Sequence, residues 1–217
     1  MSISGIPSTK FTKPVAASQS LREVYDILFS AWSVAKVDRT APLKNLENCI
    51  TWCFYSAIVA EIIRLIDDGT RQHCFTIFSG TSIIYRRKQV GIADIQVEFN
   101  NDPRCRFIIE AKLLNKKGAS NARAYVGEEG MGRFISGKKY GIEVSEGGMI
   151  GYVLDGNTDK ARKSVADKIE KERQTVGMLP TATLKNSTIR EDVYETSHVK
   201  QTGTSFTIYH IFLPVKN

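Results

Sequence analysis

Apolar and polar residues alternate along two stretches in the middle of the chain, residues 94–99 and 105–112, separated by Asn-Asn-Asp-Pro-Arg. A period of two residues is typical of strands that have one buried face. On the second stretch, the apolar residues that share one side are Phe107, Ile109 and Ala111. Because Asn, Asp and Pro favour tight turns, the sequence predicts an antiparallel hairpin with one apolar face.

Two helices are predicted before this hairpin, at residues 19–37 and 43–67. The first carries apolar residues at helical spacing, and Pro42 marks the start of the second. The later half of the second helix is apolar almost all round, which indicates a buried helix. Elsewhere the pattern predicts strands at 74–78, 82–85 and 148–154, helices at 120–136 and 158–174, and a terminal hairpin with strands at 194–200 and 205–214.

The two histidines of the terminal hairpin differ in their sequence surroundings. His210 shares a strand face with apolar residues, which favours a hydrogen-bonded core histidine over a ligand. His198 lies in a more polar stretch, which predicts an exposed side chain in a position to contact nucleic acid.

The central hairpin is expected to bring three charged residues together. If its turn is symmetric about the third turn residue, Phe99 pairs with Cys105 and Asp94 lies opposite Glu110. Directly opposed residues on one face of a sheet have Cβ atoms about 4.5–5.5 Å apart. Lys112 follows Glu110 by two residues and therefore points to the same face. We expect two carboxylates and one ammonium group within a few ångströms of each other.

This group of charges favours a metal site. Neighbouring carboxylates repel each other, and one takes up a proton unless a cation lies between them. Mg²⁺ removes the repulsion, because it binds one or two carboxylates at about 2.0–2.1 Å and keeps waters for a substrate phosphate or a nucleophile. A lysine beside the ion can orient or deprotonate a water and stabilise charge on a phosphate. The alternative is an exposed strand pair whose Lys–Glu contact contributes little.

The same residues resemble the PD-(D/E)XK nuclease superfamily, whose fold is called restriction-endonuclease-like. Asp94 corresponds to the aspartate of the motif, and residues 110–112, Glu-Ala-Lys, correspond to its E-x-K element. The resemblance covers residues 61–154 and is specific only in the hairpin; Ala93 stands where the motif has its proline. It implies an α/β fold with a mixed β-sheet flanked by helices on both faces, here with an N-terminal helical part and a C-terminal β-hairpin.

The resemblance also implies roles for the site residues. The two carboxylates of the motif, Asp94 and Glu110, would bind Mg²⁺, with Mn²⁺ as a substitute, assisted by the carbonyl group of Ala111. Lys112 would orient the attacking water. Many superfamily members carry an acidic residue on the helix before the hairpin, and by that analogy Glu61 would support the metal.

For Glu61, the alternative is a pair with Arg64, three residues further along the predicted helix. A partly exposed carboxylate without such a pair is a second alternative. Neither of the two places Glu61 at the metal.

Six further residues are candidates for contacts with nucleic acid. Three form a basic run just before the hairpin, Arg86, Arg87 and Lys88. A phosphodiester backbone beside a metal site would attract them. The other three follow the E-x-K strand, where superfamily members carry basic, Gln or Tyr residues aimed at the scissile phosphate: Arg133, Lys138 and Tyr140. For each of the six, a solvated surface position is the alternative.

Size and charge agree with a nucleic-acid enzyme. The chain has 217 residues, 42% of them apolar, and a formal net charge of +7. This size suits one domain, predicted at residues 19–217 after a mobile leader at 1–18. The positive charge favours a polyanionic partner. Four cysteines, a start without an apolar signal region and the lack of a long apolar run predict a cytoplasmic protein that does not contact the membrane.

The sequence therefore favours a Mg²⁺-dependent nuclease, above all an endonuclease that hydrolyses DNA. Only the resemblance points to restriction, phage defence or DNA repair as its setting. The alternatives are a non-catalytic nucleic-acid-binding or scaffold subunit that retains the fold, and a protein-interaction domain. Specificity is expected from nucleic-acid shape, from free ends or from a partner protein, and a homodimer would suit paired cuts on a duplex.

Overall fold

The computed structural model describes most of the chain, namely residues 18–35, 42–69, 75–85, 88–100, 105–115, 121–136, 140 and 144–215. For a few of these, only the backbone is described: residues 18, 43–44, 81–85 and 88–92. The predicted leader up to residue 17 lies outside the described residues.

Five helices and seven strands are formed by the described residues. The helices are α1 (Ser18–Val34), α2 (Leu43–Asp67), α3 (Ala122–Val126), α4 (Gly132–Ile135) and α5 (Thr158–Lys171). The strands are β1 (Phe75–Tyr85), β2 (Lys88–Phe99), β3 (Arg106–Leu114), β4 (Glu146–Val153), β5 (Lys185–Asn186), β6 (Tyr194–Val199) and β7 (Ser205–Pro214).

All seven strands belong to one mixed sheet, in the order β1-β2-β3-β4-β7-β6-β5. The strand β2 pairs antiparallel with both β1 and β3, whereas β3, β4 and β7 are parallel. The last two strands, β6 and β5, return antiparallel. The parallel centre is nearly continuous in apolar residues, as expected for strands that are buried on both faces.

Helices cover both faces of this sheet. Residues of α1 and α2 share one apolar core with inward residues of the sheet, including Ile95, Ile109 and Ala111. Residues of α3, α4 and α5 share a second core with residues of the opposite face, including Ile108 and Leu114. The prediction of an α/β fold with a mixed sheet between two helical layers, N-terminal helices and a C-terminal hairpin is therefore confirmed.

The predicted helix at 120–136 is two short helices, because the glycines between them form a tight turn. Gly127 closes α3 by donating its N–H to the carbonyl of Arg123 at 2.8 Å. A Cβ on Gly130 would lie 2.0 Å from the carbonyl oxygen of Tyr125, a contact that only glycine avoids. This turn positions α4, which carries Arg133.

The two short strands predicted at 74–78 and 82–85 are one strand, β1, over the described residues. Gly80 joins its halves with a φ of +61°. Glycine adopts that left-handed conformation without steric cost. The ladder to β2 therefore resumes at Thr81↔Ala93 instead of ending in a turn.

Both histidines of the terminal hairpin are fully buried. The core position predicted for His210 is confirmed, whereas the exposure predicted for His198 is wrong. The segment after α5 covers β6: Met178 forms a bridge with His198, whose Nδ1 lies 2.8 Å from the carbonyl oxygen of Val176. The local pattern of β6 contains no sign of this cover, because the covering residues lie about twenty positions earlier in the chain.

The long helix α2 is buried on one side only. Its inner side packs into the core below the sheet, whereas Trp52, Ile63 and Ile66 on the other side are exposed. The prediction that its later half is buried all round is therefore wrong for the outer side. Within the described residues, one stretch is long and apolar enough to cross a membrane by length and composition, Asn45–Asp67 of this helix.

Candidate active site

The register of the β2–β3 ladder agrees with the sequence prediction. Its pairs run from Glu98↔Arg106 to Ile95↔Ile109, and Phe99 donates its N–H to the carbonyl of Cys105 at 2.8 Å. The same register, continued by one residue, places Asp94 opposite Glu110. The ladder stops at this point, so Asp94 stands where the two strands separate.

This separation, here called the fork, leaves backbone groups of β3 without a strand partner on the β2 side. Two carboxylates replace the missing strand: Asp94 Oδ2 accepts the N–H of Ala111 at 2.7 Å, and Glu47 Oε2 accepts the N–H of Leu113 at 3.0 Å. Buried backbone groups need such partners. The end of the ladder therefore requires acceptors at the place where the charged residues collect.

Lys112 connects the carboxylates of the fork. Its Nζ donates to Glu110 Oε1 at 2.8 Å and to Glu47 Oε1 at 3.0 Å. The same amine lies 2.7 Å from the carbonyl oxygen of Ala111. The ammonium group thus contacts one carboxylate from the sheet and one from α2.

Glu110 is held from the other helical layer. Tyr140 donates its hydroxyl hydrogen to Glu110 Oε2, and Arg133 Nη1 donates to the same oxygen at 3.0 Å. Arg133 also contacts the hydroxyl of Tyr140 at 2.9 Å and Glu129 at 2.6 Å. Burial and the adjacent Glu110 raise the pKa of Tyr140, so the phenol keeps its proton and remains a donor.

Asp94 carries the clearest electrostatic signature of the fork. Burial, followed by the charge of Glu110, raises the pKa of its carboxyl group to about 7. The hydrogen bond from Ala111 and the charge of Lys112 only partly offset this, and Glu47 adds to it. Its second oxygen, Oδ1, has no hydrogen-bond donor among the described residues.

Lys112 is charged at neutral pH. Burial alone lowers the pKa of a lysine, but the carboxylates of Glu110 and Glu47 outweigh burial, so the pKa of Lys112 lies above its ordinary value. A charged lysine can donate hydrogen bonds to a water or a phosphate oxygen. It is not a proton acceptor in this arrangement.

The carboxylate that α2 contributes to the fork is Glu47 and not Glu61. Glu61 accepts hydrogen bonds from Ser30 at 2.7 Å and from Arg64 at 2.9 Å, and the bond from Arg64 lowers the pKa of Glu61 to about 2. Fourteen residues of helix separate the two carboxylates, roughly 21 Å at 1.5 Å per residue. The structure therefore does not bring Glu61 to the fork, and it shows the pair with Arg64 instead.

The sequence pattern places Glu47 and Glu61 on the same side of α2. Both residues fall on the inner stripe of α2, together with Ile50, Phe54 and Ile58. Pattern alone does not say which end of the helix lies over the fork, because that depends on the direction in which α2 crosses the sheet.

The candidates for nucleic-acid contact are only partly described. Arg133 and Tyr140 join the fork through Glu110. Arg86, Arg87 and Lys138 lie outside the described residues, and for Lys88 only the backbone is described, paired with Tyr85.

The donor set of the fork fits a hard divalent cation. It offers carboxylate and carbonyl oxygens, the ligands that Mg²⁺ prefers. Among the described residues, its three carboxylates face only two cations, Lys112 and Arg133, and the raised pKa of Asp94 agrees with that deficit. In the same part of the chain, no three His, Cys, Asp or Glu side chains already form a metal-binding group, and both oxygens of Glu110 accept hydrogen bonds from protein donors.

For a cation to be bound by Glu110 at the fork, protein donors must first release that carboxylate. Glu110 is fully buried, and its contacts with Lys112, Arg133 and Tyr140 would have to open for it to become a ligand. Asp94 Oδ1 needs no such change. Asp94 is accordingly the residue at which a cation would first be held.

Comparison of the chain with family models, with curated proteins and with solved structures found no match.

Proposed function

We propose that this protein is a metal-dependent nuclease that hydrolyses phosphodiester bonds in DNA, built on a restriction-endonuclease-like variant of the α/β fold. The observation that carries the proposal is the fork: a strand pair that opens at Asp94 and gathers three carboxylates, a charged lysine and the carbonyl group of Ala111. The net charge of +7 supports a polyanionic substrate.

The chemistry proposed for each residue follows from its contacts. Asp94, the carbonyl of Ala111 and a released Glu110 would hold Mg²⁺, and Glu47 would add negative charge from α2. When bound, Mg²⁺ polarises the scissile phosphate and lowers the pKa of a nearby water. Lys112 donates hydrogen bonds that orient the attacking water and stabilise charge developing on the phosphate.

Arg133 and Tyr140 would supply the second set of donors. Both point at Glu110, and a phosphate oxygen presents the same negative charge to them as that carboxylate. Exchange of Glu110 for a phosphate would therefore keep their hydrogen bonds while freeing Glu110 for the metal. Arg133 is suited to this role because guanidinium groups bind carboxylate and phosphate alike.

A second candidate function is a non-catalytic nucleic-acid-binding subunit that retains the fold. The observation that favours it is the closed state of Glu110, whose oxygens are both engaged by protein donors. In such a protein the contacts of Lys112, Arg133 and Tyr140 would serve stability alone. DNA binding would then be independent of Mg²⁺.

The test is incubation of the purified protein with supercoiled, linear and single-stranded DNA and with RNA, in Mg²⁺, Mn²⁺ or EDTA. We expect cleavage of DNA in either metal and none in EDTA. Asp94→Asn and Glu47→Gln should abolish it, while both variants remain folded by circular dichroism.

The matched control is Glu61→Gln, which neutralises a carboxylate on the same helix about four turns from the fork. It should retain cleavage. If the folded wild-type protein leaves all four substrates intact but shifts DNA in a gel equally with and without Mg²⁺, the non-catalytic function replaces the proposal.

A further inference from the structure

A second apolar stripe runs along the outside of α2, opposite to the one that packs on the sheet. Three of its members are open to solvent: Trp52 is 63% exposed, Ile63 53% and Ile66 54%. Tyr55 and Val59 lie between them and are half-buried. Tyr55 stands at the edge of the stripe: it also packs against the core beneath the sheet, and its ring centroid lies 6.2 Å from that of Trp52. Solvent-exposed apolar residues in a continuous row indicate a binding surface more often than isolated ones do.

The spacing of this row is that of a helix–helix contact. Its residues follow one another at intervals of three, four, four and three: Trp52, Tyr55, Val59, Ile63 and Ile66. Steps of three and four keep side chains on one seam against a neighbouring helix. Contact with an unstructured chain imposes no such period.

The row is also self-complementary about Val59. In an antiparallel pair of α2 helices crossing at Val59, Trp52 of one copy meets Ile66 of the other, and Tyr55 meets Ile63. The large ring at one end thus faces a smaller aliphatic side chain. The residues that flank the crossing point are small, which lets the two helix backbones approach closely: Ser56 and Ala60.

The charges around the row argue against a membrane as its partner. Within residues 52–66 the one basic residue is Arg64, and it is held by Glu61 and Asp68 at 2.9 and 2.7 Å. The exposed residues that directly follow the row are acidic, Asp67 and Asp68. Helices that lie on membrane surfaces instead carry Lys and Arg beside the apolar face. The inner stripe of α2 is, moreover, committed to the core.

We propose that the outer stripe of α2 binds a second copy of this chain, forming a two-fold symmetric dimer in which two α2 helices cross antiparallel at Val59. This inference rests on the exposed stripe alone and does not depend on the nuclease proposal. A two-fold axis makes each contact occur twice, which is the usual symmetry of a homodimer.

The dimer is expected to be weak. The stripe runs from Trp52 to Ile66, fourteen steps along the helix and therefore roughly 21 Å at 1.5 Å per residue. A strip of that length and about 10 Å in width is smaller than the surface that a stable complex buries on each partner, about 800 Å². We therefore expect a dimer that dissociates readily on dilution.

The test is sedimentation velocity of the full chain over a range of concentrations, from low micromolar to several hundred micromolar. We expect the mass to rise from that of a 24.2 kDa monomer to twice that value. Trp52→Lys and Ile66→Glu should each keep the protein monomeric, because each buries an unpaired charge in both halves of the symmetric contact. The matched control is Lys163→Glu on α5, on the opposite face of the sheet, which should dimerise like the wild type.

The double variant Trp52→Lys/Ile66→Glu tests the antiparallel register. It places the introduced lysine of each copy opposite the introduced glutamate of the other, so dimerisation should return; a parallel pair would oppose like charges and stay apart. A wild-type protein that is monomeric throughout overturns the proposal. So does a dimer that tolerates Trp52→Lys, a double variant that fails to recover, or a monomer that floats with lipid vesicles.

Discussion

Asp94 and Glu61 are two carboxylates of one chain with opposite electrostatic surroundings. The pKa of Asp94 rises to about 7 because it is buried beside Glu110, whereas the bond from Arg64 lowers the pKa of Glu61 to about 2. A carboxylate that satisfies its charge within the fold stabilises the fold. A buried carboxylate whose charge is not compensated lowers the stability of the fold, and such groups are concentrated at functional sites.

Asp94→Asn should stabilise the protein in the absence of metal. Between pH 4 and 7 the unfolded chain has released the Asp94 proton while the folded chain still holds it, so the stability contributed by this residue falls as the pH rises through that window. Removing the charge should raise the free energy of unfolding by about 1–3 kcal/mol at pH 8. Urea denaturation in EDTA measures it.

The gain from Asp94→Asn should shrink as the pH is lowered from 7 towards 4, since Asp94 then becomes neutral in the wild-type protein as well. A variant that is less stable than the wild type at pH 8 would show that the Asp94 carboxylate is stabilised by its surroundings. The raised pKa would then be wrong.

Lys112→Met should separate catalysis from binding. It keeps the length of the side chain but removes the charge that lies between Glu110 and Glu47. Loss of a donor that stabilises developing charge typically costs 10²–10³ in rate, so we expect cleavage of DNA to fall by about a hundredfold or more. Gel shifts in Ca²⁺ should change little, and Lys163→Met is the matched control. Unchanged cleavage would exclude Lys112 from the chemistry.

At the scale of elements, the terminal hairpin is held by a buried hydrogen-bond chain. Val176 O can only accept, so His198 donates from Nδ1 and its Nε2 must accept from Thr196 Oγ1 at 2.7 Å. The hydroxyl of Thr196 then accepts from His210 Nε2 at 2.8 Å, and His210 Nδ1 accepts from Tyr125 at 3.1 Å. One backbone carbonyl thereby determines both tautomers, and both rings are neutral.

Thr196→Val should break this chain in two places at nearly constant volume. It leaves the Nε2 atoms of His198 and His210 without partners in a fully buried site. An unsatisfied buried polar group costs about 1–3 kcal/mol, and we expect a loss of at least that size in urea denaturation. Thr202→Val, at an exposed hydroxyl of the same hairpin, should change stability by less than about 0.5 kcal/mol. Equal effects of the two changes would contradict the buried chain.

The same buried hydrogen-bond chain should make the stability of the protein sensitive to acid. Burial lowers the pKa of His198 to about 4 and that of His210 to about 3. Below about pH 6.5 both histidines become protonated in the unfolded chain but stay neutral in the folded protein. Stability is therefore lost as the pH falls from about 6.5 to about 4. Because Asp94 changes stability in the opposite direction in the same pH window, the loss is measured as urea midpoints of the Asp94→Asn variant, and replacing His198 and His210 together by Gln in that variant should flatten its profile. An Asp94→Asn profile that is already flat would contradict neutral buried rings.

What the sequence predicts well is local pattern. The bounds of α2 and the β2–β3 register follow from Pro42, from the period-two alternation and from the turn residues, and the structure agrees with each. Arg133 and Tyr140 are candidates for nucleic-acid contact by the resemblance alone; the structure places both against Glu110, and their contact with nucleic acid stays a prediction. The helix bounds and the register depend on neighbours in the chain, for which sequence spacing translates directly into geometry.

What the sequence does not predict depends on packing between distant segments. Glu47 and Glu61 occupy the same stripe of α2, and only the crossing of the helix over the sheet decides which one reaches the fork. His198 is buried by Val176 and Met178, which no pattern within β6 contains. The sequence pattern also does not show which apolar stripe of α2 is exposed. The outer stripe consists of the same kinds of residues as the inner one.

On the scale of the whole molecule, the fork is where side chains from both helical layers come together. The sheet separates α1 and α2 from α3, α4 and α5, but where β2 leaves β3 the sheet has an opening. Through it, Lys112 reaches Glu47 from one layer while Glu110 receives Arg133 and Tyr140 from the other. The groups of the site are thus held by hydrogen bonds from both sides of the sheet.

The most direct test of this account is calorimetric titration of Mn²⁺ into the full-length protein and its Asp94→Asn and Glu61→Gln variants. We predict one site with a dissociation constant in the millimolar range or tighter in the wild type and in Glu61→Gln, and no binding in Asp94→Asn. Equal binding by wild type and Asp94→Asn, or no binding by a folded wild-type protein, would contradict a metal centre at the fork.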